Sequence, residues 1–217
     1  MTIELYVIPL SPRSFKVMAV ANHLGIPWTL RPVDPTKGEQ KSPEFAALNP
    51  NMRVPVLKDG DYVLWESDAI GQYLAGKKPE GGLLPGDEKE RLDVTRWQFW
   101  ELAHWDPACA VFIFENVVKP LVLQNGEPDL IAIAKAAESF HRVAKVLDGQ
   151  LKGRPFVTGD RLTLADFSLG AAMNLADRAH IPVEGYAEIV RWFEGLRTLP
   201  AWQKTLRQCA MPAAAAA

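Results

Sequence analysis

The chain has 217 residues, carries a net charge of -2 at neutral pH, and is 48% hydrophobic and 23% charged. That length allows two compact domains with a sizeable core, and the composition is that of an ordinary globular protein. The charge argues against nucleic acid as the main partner, because a phosphate-binding surface carries a basic excess. No apolar run approaches the roughly 18 residues of a spanning helix, so no membrane association is expected. Met1 to Pro9 carries Glu4 with no basic stretch ahead of an apolar one, which does not read as a secretory leader. Two cysteines, Cys109 and Cys209, make neither a disulfide framework nor a zinc site, which fits a reducing, cytoplasmic setting.

The elements alternate at first. Ile3 to Ile8 reads as a short strand broken by Pro9 and Pro12, and Phe15 to Leu24 as a helix closed by Gly25. Trp28 to Val33 is a second strand, and Asp34 to Lys41 a polar loop. Ser42 to Leu48 is a short helix with Ser42 as cap and Pro43 in its first turn. Val54 to Lys58 and Tyr62 to Trp65 flank Asp59-Gly60-Asp61, a hairpin signal, and Ser67 to Leu74 is a helix. Lys77 to Asp87 holds two prolines and three glycines and reads as a linker. Beyond it every segment is helical in pattern: Lys89 to Val118, Asp129 to Leu151, Leu164 to Ala179, Ala187 to Leu196 and Ala201 to Cys209. The expected architecture is a thioredoxin-like α/β domain over residues 1–76, a linker over 77–88, and an all-α domain over 89–211. Pro212 and the alanines after it are low-complexity.

Three constellations carry chemistry. Ser11-Pro12-Arg13-Ser14 follows the first strand, where thioredoxin-like proteins place C-x-x-C. Serine forms no disulfide, so dithiol redox work by this loop is excluded. A hydroxyl beside helix-start amides suits a thiolate, since donors and a positive helix end stabilise the anion. Ser14 reads more readily as a helix N-cap, and Ser11 as either a thiolate partner or a plain loop residue. Arg53-Val54-Pro55 starts a strand with proline, which is unusual unless the backbone turns there. A cis bond would turn it and leave the main chain of Val54 free to pair with an extended peptide. In Trp65-Glu66-Ser67-Asp68 a capped helix start lies beside an acid. Ser67 as cap with the free amides suits a carboxylate, and Glu66 suits an ammonium. Together they match the head of a free α-amino acid, or else form an acid-rich helix start with no ligand.

The run from Pro9-Leu10-Ser11 to Lys16-Val17, the N-P-x-x-[RK]-V-P run from Asn49 to Pro55, and the E-S-x-A-I-x-x-Y-L run from Glu66 to Leu74 resemble the cytosolic glutathione transferases. The likeness is to the serine-type theta and phi classes and their bacterial relatives. Thr163-Leu164-Ala165-Asp166 resembles that family's helix-capping motif, so the resemblance covers nearly the whole chain. It implies that Ser11 hydrogen-bonds the glutathione sulfur, and that Val54, before a cis-Pro55, pairs with the cysteinyl backbone. Glu66 and Ser67 would hold the γ-glutamyl head, and Gln40, Lys41 and Arg53 the glycine carboxylate. Gln40 stands where some relatives have histidine, and Arg53 where others have lysine or glutamine; both still donate hydrogen bonds.

The resemblance further implies reduced glutathione as co-substrate, no metal, a small hydrophobic electrophile as second substrate, a detoxification role and a homodimer. Trp97, Phe99, Trp100, Trp105, Phe112 and Phe114 form an aromatic stripe on the first long helix. Such a stripe is more often core, although Trp105 and Phe112 are candidates for lining an electrophile pocket. The histidines His23, His104, His141 and His180 show no metal spacing. The leading reading is a transferase in which Ser11 stabilises the glutathione thiolate. The rivals are a glutathione-dependent peroxidase and a non-catalytic member that binds glutathione or an apolar ligand.

Overall fold

A computed structural model describes residues 2–210; Met1 and residues 211–217, which include the alanine-rich tail and the last residue of the expected helical domain, lie outside it. The chain forms two compact units. One runs to Leu84 and takes in the residues from Thr198 onward, and the other runs from Pro85 to Arg197.

The first unit is built on a four-stranded sheet in the order β2-β1-β3-β4. Its elements are β1 (Ile3–Val7), α1 (Pro12–His23), β2 (Trp28–Pro32), α2 (Pro43–Leu48), β3 (Val56–Asp59), β4 (Tyr62–Trp65) and α3 (Ser67–Lys77), in the expected order. Strand alternation is plain in β1, where Ile3, Leu5 and Val7 are buried and Glu4 and Tyr6 half-buried. β1 runs parallel to β2, joined by the helical crossover that parallel pairing requires. β3 is antiparallel to both β1 and β4. The register sets Tyr6 opposite Val56, and Val56 opposite Trp65. The end of β1, the start of β3 and the end of β4 therefore lie abreast at one end of the sheet.

α1 begins at Pro12, a turn earlier than Phe15, because Ser11 is its N-cap and Pro12 its first residue. It stops in a Schellman turn. Gly25 takes φ 62°, its N–H donates to Asn22 O at 3.3 Å, and Ile26 N–H donates to Ala21 O at 3.1 Å. α2 has the expected cap, with Ser42 Oγ accepting from Phe45 N–H at 3.1 Å. Phe45 then closes a small core with Val33 and Val56, against which Tyr6 and Val54 pack. α3 runs three residues further than Leu74 before the turn-rich segment begins.

The last helix, α10 (Pro200–Ala210), belongs to this first unit rather than to the helical one. Sequence periodicity gives its apolar face but not what that face meets. It packs on α1: Trp202, fully buried, meets Phe15 at 4.9 Å between ring centroids. Asn22 Nδ2 donates to Thr205 Oγ1 at 2.8 Å and to Gln208 Oε1 at 2.7 Å.

The second unit is helical. The expected first long helix is α4 (Glu88–Trp100) and α5 (Asp106–Ile113), with π-helical segments at Glu101–Trp105 and Phe114–Leu123. Pro107 and Pro120 account for the widened turns, since each removes an N–H from the i→i−4 ladder and crowds the carbonyl a turn back. Then come α6 (Leu130–Leu151), α7 (Leu164–Gly170), α8 (Ala176–Ala179) and α9 (Ala187–Arg197). The segment expected as one helix over 164–179 tightens to a 3-10 turn at Ala171–Leu175, where Asn174 Nδ2 donates to Ala171 O at 3.1 Å. The Thr163–Asp166 capping motif is formed, and its carboxylate does more than cap. Asp166 accepts from Thr163 N–H, Val157 N–H and Trp192 Nε1, each at 2.9 Å. Burial pushes its carboxyl up to about 6 in spite of these donors. No described helix is long and apolar enough to cross a membrane.

Trp202→Ala should destabilise the protein by about 3–5 kcal/mol, the cost of emptying a large ring from a packed core. Urea unfolding followed by tryptophan fluorescence and circular dichroism checks it. A loss under 1 kcal/mol would show that α10 contributes little to the first unit.

Candidate functional site

The segments that leave the sheet at the Tyr6–Val56–Trp65 end carry the sequence-predicted groups. The first is the loop after β1. Ser11 caps α1 with φ -74° and ψ 125°, its Oγ accepting from Ser14 N–H at 3.4 Å. The expected N-cap role of Ser14 is thus corrected. Ser14 is fully buried and its Oγ accepts from Ile8 N–H at 3.2 Å, which closes the loop. The hydroxyl of Ser11 donates to no other described residue. A hydroxyl that accepts one bond still has its proton to give, so Ser11 can cap the helix and serve an anion at once.

The second segment enters β3. The Val54–Pro55 bond is cis. Among the described residues, neither the N–H nor the C=O of Val54 has a hydrogen-bond partner. Just ahead, buried Asn49 holds the loop: its Nδ2 donates to Arg53 O at 2.7 Å, and its Oδ1 accepts from Asn51 N–H at 3.0 Å. Asparagine's habit of bonding nearby backbone is the signal in the sequence for this clasp, which the motif alone does not bring out. Arg53 itself is exposed.

The third segment joins β4 to α3. Here the N-cap is Glu66, not Ser67: the first helical bond runs from Ile70 N–H to Glu66 O at 2.9 Å, and Ser67 is the first residue inside the helix. Glu66 sits at φ 72°, a region uncommon for a residue with a side chain and one that concentrates at functional sites. Its carboxylate is exposed and bonded to no described residue. Ser67 is the reverse case, only 2% exposed with its Oγ lacking any partner. A buried hydroxyl without a partner forfeits its solvation, and a ligand atom that bonded it would recover that loss. The next residue, Asp68, is buried and ion-paired with Lys16 of α1, Nζ lying 3.2 Å from Oδ1 and 3.1 Å from Oδ2. Gln40 and Lys41 lie in a short 3-10 turn, Glu39–Lys41, before α2. Gln40 Oε1 is also shut from solvent without a partner, while Lys41 is exposed.

Trp105 and Phe112 do not offer ring faces to a ligand. They are 0% and 2% exposed, and both pack on Phe140, at 5.4 and 6.1 Å between centroids. Trp105 Nε1 donates to Leu169 O at 2.9 Å. Of the aromatic stripe, Phe99 and Phe114 are the exposed rings and Trp100 is half-buried. Periodicity gave the stripe, but not which rings the core would use. Neither cysteine is a ready thiolate. Burial, and then the charges of Asp106 and Glu101, push the Cys109 thiol well above its ordinary range, and burial pushes Cys209 up to about 11.

The family models for the N-terminal and C-terminal domains of glutathione S-transferase match residues 1–76 and 105–200. Glutathione S-transferase 3 of Zea mays is 36% identical, over 97% of this chain and 96% of its own length. The structure of a glutathione S-transferase III in apo form superposes with a TM-score of 0.86 at 33% identity, covering 98% of this chain and 99% of that one. A glutathione S-transferase-I bound with lactoylglutathione superposes with a TM-score of 0.85 at 27% identity, covering 95% of this chain and 99% of that one.

The chain belongs to the glutathione S-transferase family.

Within the family's N-terminal domain, the structure separates two serines that the sequence left entangled. Ser14→Ala should remove the acceptor of a backbone N–H inside the protein and cost about 1–3 kcal/mol of stability. Ser11→Ala should cost only about 1 kcal/mol, the usual worth of a cap, and less if the long 3.4 Å bond is weak. Paired denaturation curves decide it, and a larger loss in Ser11→Ala would reverse the assignment.

Proposed function

We propose that this glutathione transferase binds reduced glutathione extended across the three segments and presents its sulfur, as thiolate, to a small apolar electrophile. The observation that carries the reading is the partnerless, buried Ser67 Oγ at the start of α3, beside the exposed Glu66 carboxylate. A helix start with a spare hydroxyl takes a carboxylate, and an adjoining acid takes an ammonium. The γ-glutamyl end of glutathione carries both groups on one carbon. The free N–H and C=O of Val54 suit the cysteinyl backbone, as when an extended peptide pairs with an open strand edge. Gln40, Lys41 and Arg53 supply donors for the glycine carboxylate. That a fold neighbour holds lactoylglutathione, a ligand of the same tripeptide, supports the assignment.

In this arrangement the sulfur lies beside Ser11. A free thiol of pKa about 8.5 is only a few per cent ionised at neutral pH. Lowering that pKa by about two units takes about 2.7 kcal/mol of stabilisation that the anion receives and the thiol does not. The hydroxyl of Ser11 and the start of α1 supply energy of that order. The step is attack of the thiolate on the electrophile, forming a C–S bond as the leaving group departs or a ring opens. The enzyme contributes orientation and stabilisation of the sulfur charge, without a covalent intermediate. Cytoplasmic location, a detoxification role and a homodimer complete the proposal, the dimer being the commonest closed assembly. Trp105 and Phe112 are left out of the electrophile site because their rings are spent in the core.

The test is Ser11→Ala. Turnover at neutral pH should fall roughly 10- to 150-fold, the equivalent of about 1.5–3 kcal/mol for a hydrogen bond to a charged group. The ultraviolet thiolate band of bound glutathione should titrate at higher pH than in the wild type, while binding of neutral glutathione changes less than rate. An unmoved titration would remove Ser11 from the mechanism, and an upward move in Ser14→Ala alone would transfer its role there. The assembly is tested by light scattering: about twice 24.1 kDa is expected at micromolar concentration, and a monomer mass would refute the dimer.

A further inference from the structure

We infer that Lys16 is a positioning residue: through its buried ion pair with Asp68 it fixes the start of α3 as the seat for the ligand's amino-acid head and cancels the negative charge built into that seat. The inference rests on the reading of Glu66 and Ser67 given above.

Three consecutive residues open α3, and each has a different fate. Glu66 is exposed and bonded to no described residue, Ser67 is buried with a partnerless hydroxyl, and Asp68 is buried and held by Lys16. The first two are free for a ligand, and the third anchors them. The anchor comes from the helix that Ser11 caps. Lys16 stands in the second turn of α1, and a long helical side chain leans toward its own N-terminus, here the Ser11 end. One contact thus ties the helix whose start faces the sulfur of the proposed ligand to the helix whose start faces its γ-glutamyl head.

Charge points the same way. A carboxylate in the first turn of a helix opposes the positive end that would attract a second carboxylate. Asp68 is such a group, one residue from Ser67. Two Nζ–O distances of 3.1 and 3.2 Å set an ammonium directly against it, so the pair as a whole is neutral. As a stabilising device a buried ion pair is poor, since desolvation offsets most of the attraction. What this one secures is the position of Ser67 and a helix start left open to an anion.

The experiment compares affinities for glutathione and for N-acetylcysteinylglycine, which keeps the thiol, the cysteinyl backbone and the glycine carboxylate but lacks the amino-acid head. Titration calorimetry is run on the wild type, Lys16→Met, Lys16→Arg and the double variant Lys16→Met/Asp68→Leu, with melting temperatures alongside. The wild type should prefer glutathione. The double variant replaces the pair with apolar groups and should keep its melting temperature while its preference falls about tenfold, the size of one lost charge-assisted contact. Lys16→Met leaves the Asp68 charge in place and should lose more of the preference than the double variant does. Lys16→Arg keeps charge and donors and should retain it. If the apolar pair does not fold, Lys16→Gln takes its place, and its preference should also fall. Binding of the acetylated ligand should hold throughout. A double variant, or Lys16→Gln, that keeps the full preference overturns the inference and leaves the proposed function standing. A wild type with no preference overturns both.

Discussion

Antiparallel pairing of β3 with both of its neighbours is the constraint from which the site follows. Because β3 runs against β1 and β4, its beginning must lie beside their ends, and the register makes this literal in the row Tyr6–Val56–Trp65. A side chain on any one of the three connections is then held by a rigid sheet rather than by its own loop. Two of the connections lead straight into helices, so Ser11 and Glu66 are helix N-caps as well as residues at the sheet end. Helix starts bring unpaired amides and a partial positive charge. The third leads into a strand and brings the free main chain of Val54. What the three connections offer a ligand is therefore largely backbone, with the side chains of Ser11, Glu66 and Ser67 set beside it.

The polar atoms that lack partners are as informative as those that have them. Most buried polar groups in folded proteins are hydrogen-bonded, so each exception asks for a reason. Ser67 Oγ and Gln40 Oε1 are such exceptions; a ligand carboxylate can accept from the first, whereas the second is itself an acceptor that a carboxylate does not satisfy. Asn22 Oδ1 in α1 and Trp97 Nε1 in α4 are also partnerless, and neither belongs to a residue assigned to the ligand. An orphaned atom alone therefore does not mark the site. The proposed function rests on the orphan together with a helix start and an adjoining free acid.

Much of this was legible in the sequence, and the misreadings share one cause. The order of strands and helices, the Ser42 cap, the hairpin at Gly60 and the Thr163–Asp166 capping motif depend on neighbours in the chain, and local chemistry suffices to read them. Ser11 and Ser14 are both good caps, so the cap expected at Ser14 falls instead at Ser11. What decides between them is that Ser14 faces the interior and meets Ile8 N–H, a matter of tertiary burial. Serine's preference for caps points to Ser67, whereas Glu66 is the cap and adopts a positive φ that no propensity would suggest. The fates of Trp105, Phe112 and α10 depend on partners far along the chain. Periodicity reports that a face is apolar and is silent about what it meets.

The placement of α10 bears on how the protein is made. Asn22 and Thr205 are 183 positions apart, yet they share a hydrogen bond in the unit that carries Ser11. Within that unit the sheet and its first helices are translated before the helical unit, and α10 after it. Until residues 200–210 have been synthesised, the face of α1 that meets Trp202 has nothing of its own to bury against. The whole helical unit is translated in the meantime. Closing so long a loop is entropically costly and slow, and apolar surface left waiting is open to wrong partners. The nascent chain therefore carries a half-built sheet domain with one uncovered helix, the state in which a chaperone that recognises apolar surface would meet it.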